Sequence, residues 1–328
     1  MKMRLATSAL ALLLGATGCA QDGQYGPGTD GLGSQTYDLE LGQGTGEAGN
    51  VIDAVIVPML NANKLMVRPA PSAELTRRVA LDLAGRMPTL DEYTMLEGKK
   101  ASEVADYFMV TKKDEFVKMG QRFFSDIFLY NNSSQFSQVK HIVEFNDTAA
   151  MVWNGTMSWK AFSSYAVKSP MWLNRYPSAD NRGEQAFAYF LGRDAFGFER
   201  AFGAMWNGYV MAPNGDKEQV NGQPNPRYHE YDLNPAVGCA GGNCTVTILG
   251  QEGSSVDDAL RIIQGSELFD EGLVQQVWKR YMGGPIAIEA PELRIKLMQF
   301  VRANDYSVPK LVREIVTSSA YAATYEVR

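Results

Sequence analysis

A mainly α-helical fold, an irregular multi-helix body with a loop-rich middle and a compact C-terminal helical bundle, is predicted by three features of this chain. Apolar residues recur at three- and four-residue spacing from 51 onward, helix-start residues precede several of these stripes, and Gly/Pro breaks cut the last third into short segments. Leu75, Val79 and Leu83 lie four residues apart behind Pro69, Pro71 and a candidate cap at Ser72. Gly85-Arg86-Met87-Pro88-Thr89-Leu90-Asp91-Glu92 follows, where Thr89 and Glu92 have capping-box spacing. Phe116, Met119, Phe123, Ile127 and Tyr130 then share one helical face, with Phe124 and Phe128 beside it. Such an aromatic stripe is expected to be core, so no site is assigned to it.

The C-terminal third reads as four helices. Ser255 with Asp258 opens the first, which carries Leu260 and Ile263; Leu273, Val277, Trp278 and Tyr281 mark the second, stopped by Gly283-Gly284-Pro285. Pro291 opens the third, with Leu293, Leu297, Phe300 and Val301 inward. Ser307 precedes the fourth, built on Leu311, Val312, Ile315 and Val316. Short loops between short amphipathic helices predict a bundle. The expected division is a helical domain with long polar loops over 51–250 and a C-terminal helical module over 251–328.

The N-terminus reads differently. Lys2 and Arg4 precede an apolar run from Leu5 to Leu14, which breaks at Gly15-Ala16-Thr17-Gly18-Cys19. A basic start, an apolar stretch and small residues before a cleavage point make a signal peptide over 1–18. The segment resembles the lipobox of bacterial lipoproteins, although Ala16 stands where leucine is usual. That resemblance implies lipidation of Cys19, palmitate included, and a lipid anchor in the cell envelope; an ordinary signal peptide with an incidental cysteine is the alternative. Ala20 after Cys19 points to the outer membrane by the sorting rule of enteric bacteria. The apolar run is shorter than the roughly 20 residues a membrane-spanning helix needs. Residues 19–50 then repeat glycine among Gln, Ser, Thr and Asp without apolar periodicity, and read as a flexible tether.

Composition bounds the function. Of 328 residues, 45% are hydrophobic and 21% charged, which fits a globular protein of one large or two smaller domains. The formal net charge is −6, with no block of Lys and Arg that could track phosphates, so nucleic acid is excluded as a partner. With two histidines in the chain, His141 and His229, a His-rich metal site is excluded and no metal is assigned. Beyond Cys19 the cysteines are Cys239 and Cys244, an even pair around Ala-Gly-Gly-Asn. In an oxidising compartment this pair reads as a structural disulfide, a redox pair or metal site being the alternatives without Cys-x-x-Cys spacing.

One resemblance covers roughly a third of the chain. Arg77-Arg78-Val79-Ala80-Leu81-Asp82-Leu83-Ala84-Gly85-Arg86-Met87-Pro88-Thr89 is similar to the signature of the planctomycete cytochrome-associated domains, large families of exported proteins of planctomycetes and myxobacteria. Val277-Trp278-Lys279-Arg280-Tyr281-Met282-Gly283 and Leu311 to Tyr321 resemble the closing module of the same families. Many members carry or accompany a Cys-x-x-Cys-His haem motif, which this chain lacks, so no haem and no other cofactor is expected here. The resemblance implies an exported fold and neighbouring electron-transfer proteins, and it implies no reaction.

Function is therefore sought in 131–250, rich in Asn, Gly, Tyr and Trp. Trp153, Trp159, Trp172 and Trp206 would suit sugar or peptide recognition if exposed, and otherwise fill the core. His229 lies beside Glu230 and Asp232, a grouping able to act as general base or weak ligand, with an ordinary surface histidine as the alternative. The leading expectation is a lipid-anchored envelope protein acting as a binding or scaffold subunit with an envelope protein partner. The rival is a polysaccharide-acting or other hydrolase with its site in 131–250, and a glycan as ligand.

Overall fold

The computed structural model describes residues 49–62, 66–130, 139–176, 179–196, 199, 209–211, 219–220, 223–224, 228–231, 245–286 and 290–326. Within them the protein is mainly helical, as its sequence predicts. The helices are α1 (Asp53–Ala62), α2 (Ser72–Leu83), α3 (Leu90–Leu96), α4 (Ala101–Asp106), α5 (Lys113–Phe128), α6 (Val139–Trp153), α7 (Trp159–Lys168), α8 (Pro170–Arg175), α9 (Ala179–Leu191), α10 (Val256–Gln264), α11 (Glu267–Met282), α12 (Pro291–Ala303), α13 (Val308–Val316) and α14 (Ser319–Ala322). A π-helical turn, Tyr107–Thr111, joins α4 to the loop before α5. Strands come in antiparallel pairs, of which Met66–Pro69 with Ala323–Glu326 ties the N-terminal part to the C-terminus.

Several starts and stops follow directly from the sequence. Thr89 Oγ1 accepts from the Glu92 N–H at 3.2 Å, and Glu92 Oε2 accepts from the Thr89 N–H at 2.9 Å, completing the expected capping box. Ser255 Oγ accepts from the Asp258 N–H at 3.0 Å at the start of α10. Gly283, with φ 76°, ends α11 in the left-handed conformation that a side chain would resist. Ser72 behaves differently from its predicted role. Pro71 occupies the N-cap of α2, and the Ser72 hydroxyl instead bridges the Leu96 carbonyl and the Gly98 N–H.

The chain forms two compact units, each drawn from separate stretches of sequence. The first combines Met1–Phe116 with Gln275–Phe300 and Lys310–Arg328; the second combines Val117–Val274 with Val301–Pro309. In the first unit, Val55, Leu60, Val79, Leu83, Val104, Phe108, Leu297 and Ile315 are buried. Its two chain ends are cross-linked by polar contacts. Asn50 Nδ2 donates to the Glu314 carbonyl at 2.7 Å, and Asp53 accepts from the Ser319 N–H at 2.7 Å and from its hydroxyl at 3.0 Å.

The second unit has an aromatic core. Phe124 meets Trp153 at 5.6 Å and Trp159 at 5.7 Å between ring centroids, and Phe128 meets Phe145 at 5.7 Å, all edge-on. These geometries set each ring's positive edge against a neighbour's negative face. On α5 the buried positions are Phe116, Gly120, Phe124 and Phe128, whereas Met119, Phe123 and Ile127 are half-buried. The buried stripe is thus rotated by one residue from the predicted one. Gly120 explains why: a Cβ there would lie 2.0 Å from Trp153, whose ring occupies the space above the glycine.

Candidate functional site

Residues 78–92 supply side chains to two polar groups of the first unit. In the first group, α2 runs out at Gly85, whose φ of 71° turns the chain so that Arg86 faces the start of α3. Arg86 Nη1 and Nη2 donate to Glu92 Oε2 and Oε1 at 2.7 and 2.8 Å, a bidentate pair, while Nε donates to Glu115 at 2.8 Å. Tyr107 Oη donates to Glu92 at 3.3 Å, and Lys112 Nζ lies 3.8 Å away. Glu92 is only 3% exposed. The Arg86 hydrogen bonds, helped by the Thr89 N–H and opposed by burial, hold its carboxyl down at about 2. This constellation is saturated: each carboxylate oxygen already accepts from a donor, so it clasps two helices rather than awaiting a ligand.

The second group gathers Asp82 on α2 and Tyr321 on α14. Tyr321 Oη donates to Asp82 Oδ2 at 2.6 Å, and Arg78 Nη1 donates to the Tyr321 carbonyl. The Arg78 guanidinium also sits 5.8 Å above the Tyr321 ring. Burial pushes the Asp82 pKa up, against the Tyr321 hydrogen bond and the charges of Arg280 and Arg78. Burial likewise pushes the Tyr321 phenol far up, with Asp82 adding to it. A carboxyl displaced upward next to a phenol is the arrangement in the first unit closest to acid–base chemistry. Tyr321, however, is 3% exposed, and its hydroxyl is committed to Asp82. No sequence signal links residues so far apart in the chain, and this pairing was not foreseen.

The second unit contains a close parallel to the Arg86 clasp. Arg193 Nη1 and Nη2 donate to Glu199 Oε2 and Oε1, each at 2.8 Å, and the Phe196 N–H donates to Oε2 at 3.0 Å. The guanidinium lies between Phe187 and Phe196, 4.8 and 5.0 Å from their ring centres. Burial alone would raise the Glu199 pKa, but Arg193 and the N–H groups of Phe196 and Leu249 outweigh it and hold the carboxyl below its usual value. The shared spacing, Gly85-Arg86 with Glu92 and Gly192-Arg193 with Glu199, stands in the sequence as a signal that could have found both pairs.

The predicted binding residues are placed unevenly. Trp153, Trp159 and Trp172 are 1%, 1% and 0% exposed, so of the two readings of these rings, recognition surface or core, the core one holds for these three. The indole N–H groups of Trp159 and Trp172 meet no hydrogen-bond partner among the described residues, so these rings contribute apolar area rather than polarity. His229 and Glu230 fall on a strand, Tyr228–Tyr231, without described side chains. Trp206, Asp232, Cys19, Cys239 and Cys244 lie outside the described residues. His141 is half-buried on α6, with burial lowering its pKa. Among the described residues no three His, Cys, Asp or Glu side chains are placed to hold a metal, and no helix is long and apolar enough to cross a membrane.

No known protein family matches the chain, and no curated protein or solved structure shows significant similarity to it.

Proposed function

We propose that this protein is a lipid-anchored cell-envelope protein that serves as a binding or scaffold subunit for an envelope protein partner. The observation that carries the reading is how the signature segment spends its side chains. Arg86 of that segment and the adjoining Glu92 are consumed in holding the helices, while Met87 within it and Leu90 just beyond it stand 54% and 84% exposed. A segment built this way presents apolar side chains from a rigid support, which suits contact with a protein surface. The lipobox-like run ending at Cys19 supports the anchor, with the outer membrane as its address. Electron-transfer proteins are the partner class that the family resemblance suggests.

The test has two arms in native envelopes. Metabolic labelling with an alkyne palmitate should mark the protein and be lost in Cys19→Ala, which should also leave the membrane fraction. A photo-crosslinking residue at position 90 should join the protein to a discrete envelope partner, and adding Met87→Asp to that protein should abolish the adduct. An unlabelled protein refutes the anchor; a labelled protein without an adduct at 90 refutes the scaffold role of this segment.

A further inference from the structure

Three stretches of the chain have the same construction. Ser158, Ser255 and Ser307 each precede a helix of nine or ten residues: α7, α10 and α13. Eleven residues after each of these serines stands another, Ser169, Ser266 and Ser318, and three further on an aromatic ring, Trp172, Phe269 and Tyr321. Between the serines, the same four positions are buried in every copy: Trp159, Phe162, Ser163 and Ala166; Val256, Ala259, Leu260 and Ile263; Val308, Leu311, Val312 and Ile315.

The agreement extends to atoms. The hydroxyls of Ser169, Ser266 and Ser318 each donate to the carbonyl three residues earlier, at 2.7 Å in all three cases. Their N–H groups reach the same carbonyls at 3.1, 3.2 and 3.1 Å. The N–H groups of Trp172 and Phe269 donate back to the preceding serine hydroxyls at 3.2 Å, while that of Tyr321 uses the Ser318 carbonyl. The three rings are 0%, 0% and 3% exposed. A serine turn at a helix end is common by itself. Ser158 and Ser255 also cap their helices, accepting from the N–H groups of Ala161 and Asp258 at 3.2 and 3.0 Å, but capping does not require that a leading serine, four buried positions, a turn serine and a buried ring recur at identical spacing three times.

The arginine clasps repeat alongside. On α2 the buried positions 75, 76, 79, 80 and 83 precede Gly85, Arg86 and Glu92; on α9 the buried positions 182, 183, 186, 187 and 190 precede Gly192, Arg193 and Glu199 at the same spacing. Both arginines also donate from Nη1 to the carbonyl of the next residue, Met87 and Asp194.

We infer that this protein is assembled from a repeated helical unit, a helix preceded by a serine and closed by a serine turn and a buried ring, present at 158–172, 255–269 and 307–321. The copies begin 97 and 52 residues apart, so no fixed period marks them in the sequence. Positions common to the copies serve the fold. The Tyr321 hydroxyl, with Asp82 beneath it, belongs to one copy alone, since Trp172 and Phe269 carry no phenol.

A graft tests the register. In the mature full-length protein, Glu267→Pro with Leu268→Met writes the first copy's Pro170-Met171 into the second at the aligned positions. Glu267 tolerates this sterically, being 82% exposed with a single 4.0 Å contact to Arg302. The expected result is a folded protein with Tm within about 3 °C of the parent, against a loss above about 10 °C when the same pair is displaced by one residue, Leu268→Pro with Phe269→Met. In parallel, Ser169→Ala, Ser266→Ala and Ser318→Ala should lower Tm by amounts within a factor of about two of one another. An aligned graft as damaging as the displaced one, or one serine without effect while the others matter, overturns the repeat.

Discussion

Arg86 and Glu92 illustrate how a single pair joins sequence motif to stability. Replacing Arg86 by alanine leaves a buried carboxylate with one backbone donor, a phenol and a distant ammonium, and should cost about 2–3 kcal/mol in urea unfolding. Lysine would recover less than half of that loss, because one ammonium cannot reproduce a bidentate fork. The pH dependence follows from the direction of the shift. Glu92 titrates at about 2 in the folded protein against an ordinary value of 4.5, so its contribution is present above 4.5 and is lost as pH falls from 4.5 to 2. Glu92→Gln should therefore flatten the acid limb of a stability–pH curve in that window. Asp82 has the opposite sign. Its pKa is raised, so the folded state is favoured by protonation and stability drains away as pH climbs above the ordinary carboxyl range. Asp82→Asn, which keeps an acceptor for Tyr321, should leave Tm unchanged or raise it at pH 7 and lose that advantage at low pH.

The helices show which local signals suffice and which do not. Caps at Thr89 and Ser255 and the stop at Gly283 were legible because each depends on residues within one turn of the boundary. The buried face of α5 was displaced by one residue, because Gly120 carries no hydrophobic signal and yet lies under the Trp153 ring. Helix propensity alone favours alanine at such a position by about 1 kcal/mol. The close approach of Trp153 reverses the sign, and Gly120→Ala should destabilise the protein by more than about 2 kcal/mol, measured by thermal or chemical unfolding. The tryptophans carry the same lesson. Trp159 and Trp172 are amphipathic side chains that the sequence alone leaves open between surface and core; the rings packed around them decide for burial.

At the scale of the whole molecule, the first unit is discontinuous, drawing on both ends of the chain. Asn50, Asp53, Asp82 and Arg78 all bind residues between 314 and 321, so the unit is incomplete until the C-terminus is present. A chain ending after residue 309 should retain the helical signal of the second unit while 49–116 loses its amide-exchange protection, a difference that hydrogen exchange with mass spectrometry resolves. Full protection of 49–116 in that truncated chain would refute the dependence. The sequence by itself determined the helical class, the starts of α10 and α12, the stop of α11 and the capping box at Thr89, because periodicity and capping act over a few residues. Tertiary structure alone decided the partner of Asp82, the burial of three tryptophans and the joining of the two chain ends. Those outcomes depend on contacts between residues up to 267 positions apart, which no local pattern encodes.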